Sequence, residues 1–422
     1  MNIQLKYLKT GIVFMRVLFV NTGPWGTGSF TVIKGLTKEL LKLGHVVKIL
    51  FPDSDLESID KDEYYKNPDL YDIWKFPIQN KTTQLPTFPL MITDPHPRNP
   101  NFLTFKDLTN EQLDLYELEL TKKIALLLKT FKPDIIECHH IWCASWVCSK
   151  LGVDFSVVAH HSDQMGFRFD RRMQAKALAS AKAAKKIITV SESVKREVMR
   201  LYHTDESKIL VTANGYDKDI FKICKVNRES VLQRLGIDIP TDAPIISFAG
   251  KISRTKGIDH LLQANKLLDP AMNIHIIVMG AGDIKAICDK MDPNSYSLKN
   301  IHFVGHQIPE HLAEIQNISR VGVMPSRSEG FGISCLEAMG CGVPMIVTRC
   351  GGPEQFAIGR IINVGAVKEL ASSIMAILAL SNSEYQKLSN EAVSAAAKFS
   401  WKKIAEEHLH VYEKIVSERT SA

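Results

Sequence analysis

The chain has 422 residues, 45% hydrophobic and 23% charged, with a formal net charge of +6. That length is too great for one ordinary core and predicts two domains of about 200 residues each, while the composition excludes a low-complexity chain. The mild positive charge points more to an anionic ligand or an acidic membrane surface than to a nucleic-acid binder, and no nucleic-acid partner is expected.

The opening "MNIQLKYLKTGIVFMRVLFVN" has a basic start and a short apolar patch but lacks a small-residue cleavage site, so a signal peptide is not expected. Residues 1–14 read as an extension, or Met15 is the true start. No apolar run approaches the ~20 residues that span a bilayer. From Met15 the chain alternates: "MRVLFVNT" is a strand, "SFTVIKGLTKELLKLG" a helix and "HVVKILFP" a strand. The connecting "NTGPWGTGSF" sets Gly23, Gly26 and Gly28 where backbone amides would face a phosphate. Its spacing is neither GxGxxG nor GxxxxGK. "DSD", Asp53 to Asp55, imitates a metal-binding DxD, and also reads as a plain loop after the second strand. Residues 54–110, rich in Pro, Asp and Asn, predict an irregular insertion or lid that would help build an acceptor surface.

Four more short Val/Ile-rich strands follow, "DIIECHH", "FSVVAHH", "KKIITVS" and "KILVTAN". "CHHIWC" has the residue types of a metal set, Cys138, His139, His140 and Cys143. Adjacent histidines on a strand point to opposite faces, and no second cluster at ligand spacing follows, so no metal is expected. "VVAHHSD" ends a strand with His160, His161 and Asp163. A histidine there faces a ligand cleft or, alternatively, makes a structural hydrogen bond. "FRFDRRMQAKALASAKAAKK" is predicted as one helix with seven cations against Asp170. It is a solvated face, or else a surface for an acidic acceptor or anionic lipid, with Arg168, Arg171 and Arg172 at its start.

A switch to a second domain is expected near 223–242, after "ANGYDKDIF". The strands "IISFAG", "NIHIIVMG", "NIHFVGH", "RVGVMP" and "VPMIVT" then alternate with helices. Such runs predict parallel sheets covered on both faces, hence two doubly wound domains. The predicted organisation is 15–222, 223–400, and a helix over 401–422 whose apolar face carries Trp401, Ile404, Ala405, His408, Tyr412 and Ile415. Ligands of such sheets bind at the carboxyl ends of the strands, so the cleft between the domains is the expected site.

Two stretches of the second domain carry the chemistry. In "FAGKISRTKGIDHLL" a strand ends at Gly250, and Lys251, Arg254 and Lys256 precede a helix starting near Gly257. Cations at a strand's carboxyl end suit a diphosphate, although an exposed basic loop looks the same in sequence. In "SRSEGFGISCLEAMGCGVP" a loop from Ser326 to Phe331 runs into a helix N-terminus, where free amides and the helix dipole favour an anion. Glu329 and Glu337 beside an anion site make sense if the ligand also carries hydroxyls, since an ionised carboxylate accepts both O–H bonds of a vicinal diol. A ligand with phosphate and diols is a sugar nucleotide. Alternatively, Glu329 is solvated and Glu337 caps or pairs within its helix. The eight cysteines form no CxxC pair and read as buried thiols of a reducing compartment.

In order and spacing, "GPWGTGS", "HHSD", "ITVSESVK", "ANGYDKDIF", "GKISRTKG", "MGAGD", "FVGH" and "PSRSEGFGISCLEAMGCGVPMIVTRCGG" resemble the retaining glycosyltransferases of family 4. The resemblance runs from Met15 to about Ile415 and implies the GT-B fold: two Rossmann-like domains facing each other across a cleft, an acceptor domain then a donor domain, with the C-terminal helix crossing back to the first. It implies that Lys251 and Lys256 hold the donor diphosphate; such enzymes usually carry Arg where Lys251 stands, so the bidentate fork is lost. It implies Glu337 on the ribose hydroxyls and Glu329 on the donor sugar, with the amides of Phe331, Gly332 and Ile333 on the sugar or distal phosphate. Gly305 and His306 would frame the base, His160 would face the transferred sugar, and the Gly26–Gly28 loop would close over the phosphates. No cofactor or metal is implied, the nucleotide sugar being a substrate. The acceptor is a glycan, lipid or small molecule, and the location cytoplasmic or at the inner face of a membrane. A GT-B epimerase or phosphorylase, a dinucleotide oxidoreductase with Asp53 on a ribose, and a non-catalytic sugar-nucleotide binder are the rival expectations.

Overall fold

The computed structural model describes residues 14–54, 67–92 and 103–421. The predicted extension, Phe14 apart, and Asp55 of the DxD-like triplet lie outside the described residues, as do 56–66 and 93–102 of the predicted insertion. The chain forms two compact units: one runs to Asn214 and takes in the C-terminal segment from Trp401, and the other is Gly215–Ser400.

The first unit is built on a seven-stranded parallel sheet. Its elements in chain order are β1 (Arg16–Asn21), α1 (Gly28–Lys42), β2 (Val46–Asp53), β3 (Tyr71–Lys75), α2 (Asn110–Thr130), β4 (Ile135–His139), α3 (Ala144–Lys150), β5 (Phe155–Ala159), α4 (Ser162–Phe169), α5 (Arg171–Ala183), β6 (Lys186–Thr189), α6 (Glu192–Tyr202) and β7 (Ile209–Val211). The sheet order is β7-β6-β5-β4-β1-β2-β3. Strand β3 corrects the expectation of an irregular 54–110. "YDIWK" pairs in parallel with β2, Phe51 opposite Ile73, as an edge strand with only Trp74 fully inside. An edge strand needs no long apolar run, so the polar flanks hid it. Two-residue pairings, Ile78–Gln79 with Gln84–Leu85 and Pro89–Leu90 with Leu103–Thr104, occupy more of that stretch.

The basic helix read as one is two. Asp170 has φ −130° and ψ 110°, outside the helical range, and its carboxylate accepts from the Arg172 amide to cap α5. Short polar side chains compete with helix interiors in this way.

In the second unit the order is α7 (Arg228–Leu235), β8 (Ile245–Ala249), α8 (Ile258–Asn265), β9 (His275–Met279), α9 (Ile284–Cys288), β10 (Ile301–Phe303), α10 (Pro309–Asn317), β11 (Val321–Met324), α11 (Ile333–Gly340), β12 (Met345–Thr348), β13 (Gly359–Ile362), α12 (Val367–Leu378) and α13 (Asn382–Ala396). The six strands are parallel in the order β10-β9-β8-β11-β12-β13. Alternate residues bury on opposite faces: Ile246, Phe248, Ile276 and Val278 join one core with α8 and α12, while Ile245, Ile277 and Met279 join another with α7 and α10. Burial on both faces is why the strands are continuous apolar runs. The edge strand β13, "GRII", begins with a glycine and an exposed arginine and was not expected.

The division between the units falls at Asn214/Gly215, earlier than 222/223, for a visible reason. Tyr216 donates its amide to the Phe399 carbonyl, the Cys224 amide donates to Asn317 Oδ1, and Asn317 Nδ2 donates to the Lys222 carbonyl. The segment "GYDKDIF" thus packs on the second unit.

The C-terminal helix, α14 (Trp401–Ser421), belongs to the first unit and lies against α1 and β4. All six residues of its expected apolar face are buried. No helix among the described residues is long and apolar enough to cross a membrane.

Candidate functional site

The second unit's sheet reverses its winding between β8 and β11, which lie side by side at its centre. In open parallel sheets the crevice at such a switch, at the strands' carboxyl ends, is where ligands bind. The loops leaving β8 and β11 are the two stretches singled out in the sequence, and they are bolted together. Gly257 has φ +71°, and a Cβ there would fall 1.9 Å from the Pro325 carbonyl oxygen. Only glycine permits both the dihedral and the approach. The Arg327 amide donates to the Thr255 carbonyl at 2.8 Å, and the Arg327 guanidinium forms a fork on Asp259, both bonds 2.7 Å.

Across this junction Lys256 Nζ lies 2.9 Å from both oxygens of Glu329, and Ser326 Oγ donates to Glu329 Oε1 at 2.7 Å. Glu329 is 8% exposed, so it is a buried member of an ion pair rather than a solvated side chain. Three donated bonds fill three of the roughly four acceptor positions of a carboxylate. Room for about one more donor, such as a sugar hydroxyl, is left. Lys251, half-buried, starts the same loop.

Two helix N-termini open onto this edge. Gly257 before α8 and Gly332 before α11 are left-handed N-caps, and neither end has a side-chain cap. At α11 the Ile333 and Ser334 amides therefore remain for a ligand, whereas at α8 the Ile258 amide already reaches the Ser253 carbonyl at 3.5 Å. Phe331 is fixed by stacking on Phe356 at 4.8 Å, which aims the Phe331–Ile333 backbone, and Ser334 Oγ ties α11 to the Ala249 carbonyl at the end of β8. Glu337 lies one turn into α11. Among the described residues no side chain donates to its carboxylate, and burial pushes its pKa up to about 7. The alternative of a Glu337 paired within its helix does not hold. Gly305 and His306, exposed after β10, are joined to this edge because the Gly280 amide donates to the Gly305 carbonyl at 2.9 Å and the Gly250 amide to the Met279 carbonyl at 2.9 Å.

The first unit reverses between β1 and β4, and its own cluster lies there. The glycine loop is anchored by Trp25, buried against Phe30 at 4.7 Å, while positions 26 and 28 have open space where a Cβ would be. His160 Nε2 lies 2.8 Å from His139 Nδ1. Burial, reinforced by the neighbouring His139 and His140, holds the His160 imidazole well below its ordinary pKa and hence neutral. Asp163 holds two strand ends together, accepting from the Ile141 amide at 2.9 Å and the His160 amide at 3.0 Å. Burial lifts its pKa to about 6 against those bonds. The intervening loop has positive φ at His140, Trp142 and Cys143, strain that such clamps sustain and that concentrates at functional sites. The "CHHIWC" residues diverge: Cys138 Sγ meets Cys148 Sγ at 3.7 Å, and His140 Nδ1 meets Thr22 Oγ1 at 2.5 Å.

Of the expected acceptor cations, Arg172 spends its guanidinium on Asp170 and on the carbonyls of Phe105, Lys106 and Leu108. Arg168 is bound to Glu197. These two pin α4 and α5 in place and do not form an open basic surface; all three arginines are exposed, and among the described residues Arg171 makes no such bond. The sequence did not mark Arg327–Asp259 or Asp163 as organisers, because each pairs with a partner distant in sequence or with backbone.

The family described as Glycosyltransferase Family 4 matches residues 26–220, and that described as Glycosyl transferases group 1 matches residues 233–396. The chain belongs to the family 4 glycosyltransferases, with the GT-B fold, and is a transferase. It is 26% identical over 400 residues to an uncharacterized glycosyltransferase of Methanocaldococcus jannaschii, covering 90% of this chain and 92% of that one. With the alpha-maltose-1-phosphate synthase of Mycolicibacterium smegmatis it is 30% identical over 255 residues, covering 56% of this chain and 65% of the relative. Among solved structures, HepE of Anabaena in complex with UDP and glucose superposes with a TM-score of 0.71 at 15% identity, over 94% of this chain and 99% of that chain.

Proposed function

We propose that this glycosyltransferase transfers a sugar from a nucleoside diphosphate sugar to a hydroxyl-bearing glycan, lipid or small-molecule acceptor, with retention of anomeric configuration and without a metal ion. The observation that carries this reading is the Lys256–Glu329 pair at the switch point, flanked by two uncapped helix N-termini. The HepE structure, with its UDP and glucose, supports it as an analogy of fold.

The chemistry follows from where charge develops. Breaking the bond from the anomeric carbon to the β-phosphate oxygen leaves the sugar cation-like and the diphosphate more negative. Lys251, Lys256 and the amides at the start of α11 would receive that charge, already oriented before the reaction. Glu329 would hold the Lys256 ammonium in place while its last acceptor position takes a sugar hydroxyl. Glu337 would accept the ribose diol. The acceptor oxygen attacks from the face the phosphate leaves, and its proton passes to the departing phosphate oxygen. His160 is assigned to the transferred sugar.

Screening purified protein against UDP-, GDP-, ADP- and dTDP-sugars should give thermal stabilisation with one nucleotide series, and turnover of that donor only when acceptor is added. Activity should persist in EDTA. Loss in EDTA with recovery on Mn²⁺ would refute the metal-free mechanism. Product formed from donor without acceptor would point instead to an epimerase.

Glu337 also predicts a pH dependence. Its acid is raised to about 7 in the free protein, so it is largely protonated at about pH 6 and ionised at about pH 8. Only the ionised form accepts both diol hydroxyls, so the donor dissociation constant should fall as pH rises through that window. In Glu337→Gln the dependence should flatten, with weaker binding at the alkaline end. For folding the sign is opposite. A carboxyl whose pKa is raised on folding stabilises fully only below its unfolded value, and the contribution is lost as pH rises through about 7.

A further inference from the structure

Behind His160 runs a buried line of titratable side chains that the transfer step itself does not employ. Glu137 on β4 is 0% exposed. Its Oε2 meets His408 Nδ1 of α14 at 3.0 Å and Ser156 Oγ of β5 at 3.4 Å, and its Oε1 lies 3.4 Å from His139 Nε2. His139 Nδ1 meets His160 Nε2 at 2.8 Å, the two rings inclined by only 17°. Tyr412 closes the far end, its hydroxyl 3.4 Å from His408 Nδ1. A carboxylate without water survives only if it is paired and hydrogen-bonded.

Burial works to raise the Glu137 pKa, yet His408 and the neighbouring His139 outweigh it and hold the group well below the usual carboxylate range. Glu137 is therefore an anion and can only accept. His408 Nδ1–H donates to Oε2, and although the 3.4 Å approach of His139 Nε2 to Oε1 is not a formed hydrogen bond, a lone pair facing an anion at that distance is repelled, which puts the His139 proton on Nε2. His139 is neutral, because burial lowers its pKa more than Glu137 raises it. Its Nδ1 is then a lone pair, and the bond to His160 needs the proton on His160 Nε2. In a neutral imidazole that leaves His160 Nδ1 as an acceptor.

We propose that Glu137, acting through His139, is a positioning residue that fixes His160 as the Nε2–H tautomer, so that Nδ1 is offered to a substrate hydroxyl as a hydrogen-bond acceptor. The proposal rests on the assignment of His160 to the transferred sugar. It also gives the C-terminal helix a task in the site, since His408 supplies the second partner that keeps Glu137 charged.

The direct test uses full-length protein labelled with ¹⁵N in histidine, with ring tautomers read from two-bond ¹H–¹⁵N correlations. The expected result in wild type is protonated Nε2 and bare Nδ1 on His139 and His160. Protonation of His160 on Nδ1 overturns the proposal without recourse to any variant. Glu137→Gln, which no longer dictates the tautomer, should mix the two forms and lower kcat about 10- to 100-fold, as loss of an orienting partner does, while donor KM stays within about twofold. Altered tautomers with unchanged kcat overturn it as well. His408→Gln leaves Glu137 in place with a partner lost and should show the same pattern in weaker form; an unchanged spectrum and kcat there overturn the part given to the helix. His160→Ala with normal turnover would instead remove the assignment of His160 on which the proposal rests, whereas an inactive His160→Ala beside the wrong tautomer sinks the Glu137 proposal alone.

Discussion

Lys256→Ala is expected to lower kcat/KM for the donor roughly 10- to 150-fold, the equivalent of a charge-assisted hydrogen bond of about 1.5–3 kcal/mol. The substitution also strands Glu329, 8% exposed and bound by Lys256 at 2.9 Å through both oxygens. Removing one partner of a buried pair destabilises by leaving the other charge uncompensated, so lower activity alone would be ambiguous. The double variant Lys256→Ala/Glu329→Gln separates the effects. It should regain most of the lost thermal stability, because the stranded anion is gone, and regain none of the donor use, because the cation is still missing. Steady-state kinetics and a thermal scan on wild type, both single variants and the double close the cycle. Recovery of turnover in the double variant would show that Lys256 serves folding and not the diphosphate.

What the sequence made legible depends on whether a feature is local. The strands of the second unit were readable because burial on both faces demands unbroken apolar runs such as "NIHIIVMG". The loop into α11 was readable because Gly332 and the helix after it are neighbours in the chain. Edge strands β3 and β13 were not, since half their residues face outward and carry polar side chains. The break at Asp170 was missed because a capping aspartate also fits a basic helix surface. The clamps were least visible. Glu329 with Lys256 spans 73 residues and His408 with Glu137 spans 271, and nothing in either segment's own pattern announces its partner.

Position also changes what a charge means. Lys251, Arg254, Lys256 and Arg327 look alike in the sequence, but Arg327 is spent on Asp259, and the Arg254 guanidinium stands 3.6 Å from the same carboxylate. Burial alone would raise the Asp259 pKa, while its bonds to Arg327 hold it down. That fork fixes the loop that presents Lys256. Net positive charge on the loop is therefore a poor guide to how much of it can meet a diphosphate, and the bidentate arginine is a structural brace.

Gly257→Ala should be among the most damaging single methyl groups in the second unit, alongside Gly280→Ala, whose Cβ would likewise fall 1.9 Å from a backbone carbonyl oxygen. Gly257 has φ +71°, which for any L side chain costs about 1–2 kcal/mol. The added Cβ would also fall 1.9 Å from the Pro325 carbonyl oxygen, a backbone atom that cannot rotate away. Relief requires the β8 and β11 loops to part, a shift of the kind that costs a further 1–3 kcal/mol or so. At about 2–4 °C per kcal/mol for a domain of this size, the melting temperature should drop by roughly 4–20 °C. Parting the loops also moves Lys256 from Glu329, so nucleotide should no longer protect the variant against heat. Gly236→Ala supplies the control. Gly236 caps α7 at φ +66° with nothing within 4 Å of its would-be Cβ, so it carries the dihedral penalty without the collision. Calorimetry on the two variants therefore measures the close approach itself. Equal losses would mean that the two loops are not held together at Gly257, and the placement of Lys256 beside Glu329 would lose its support.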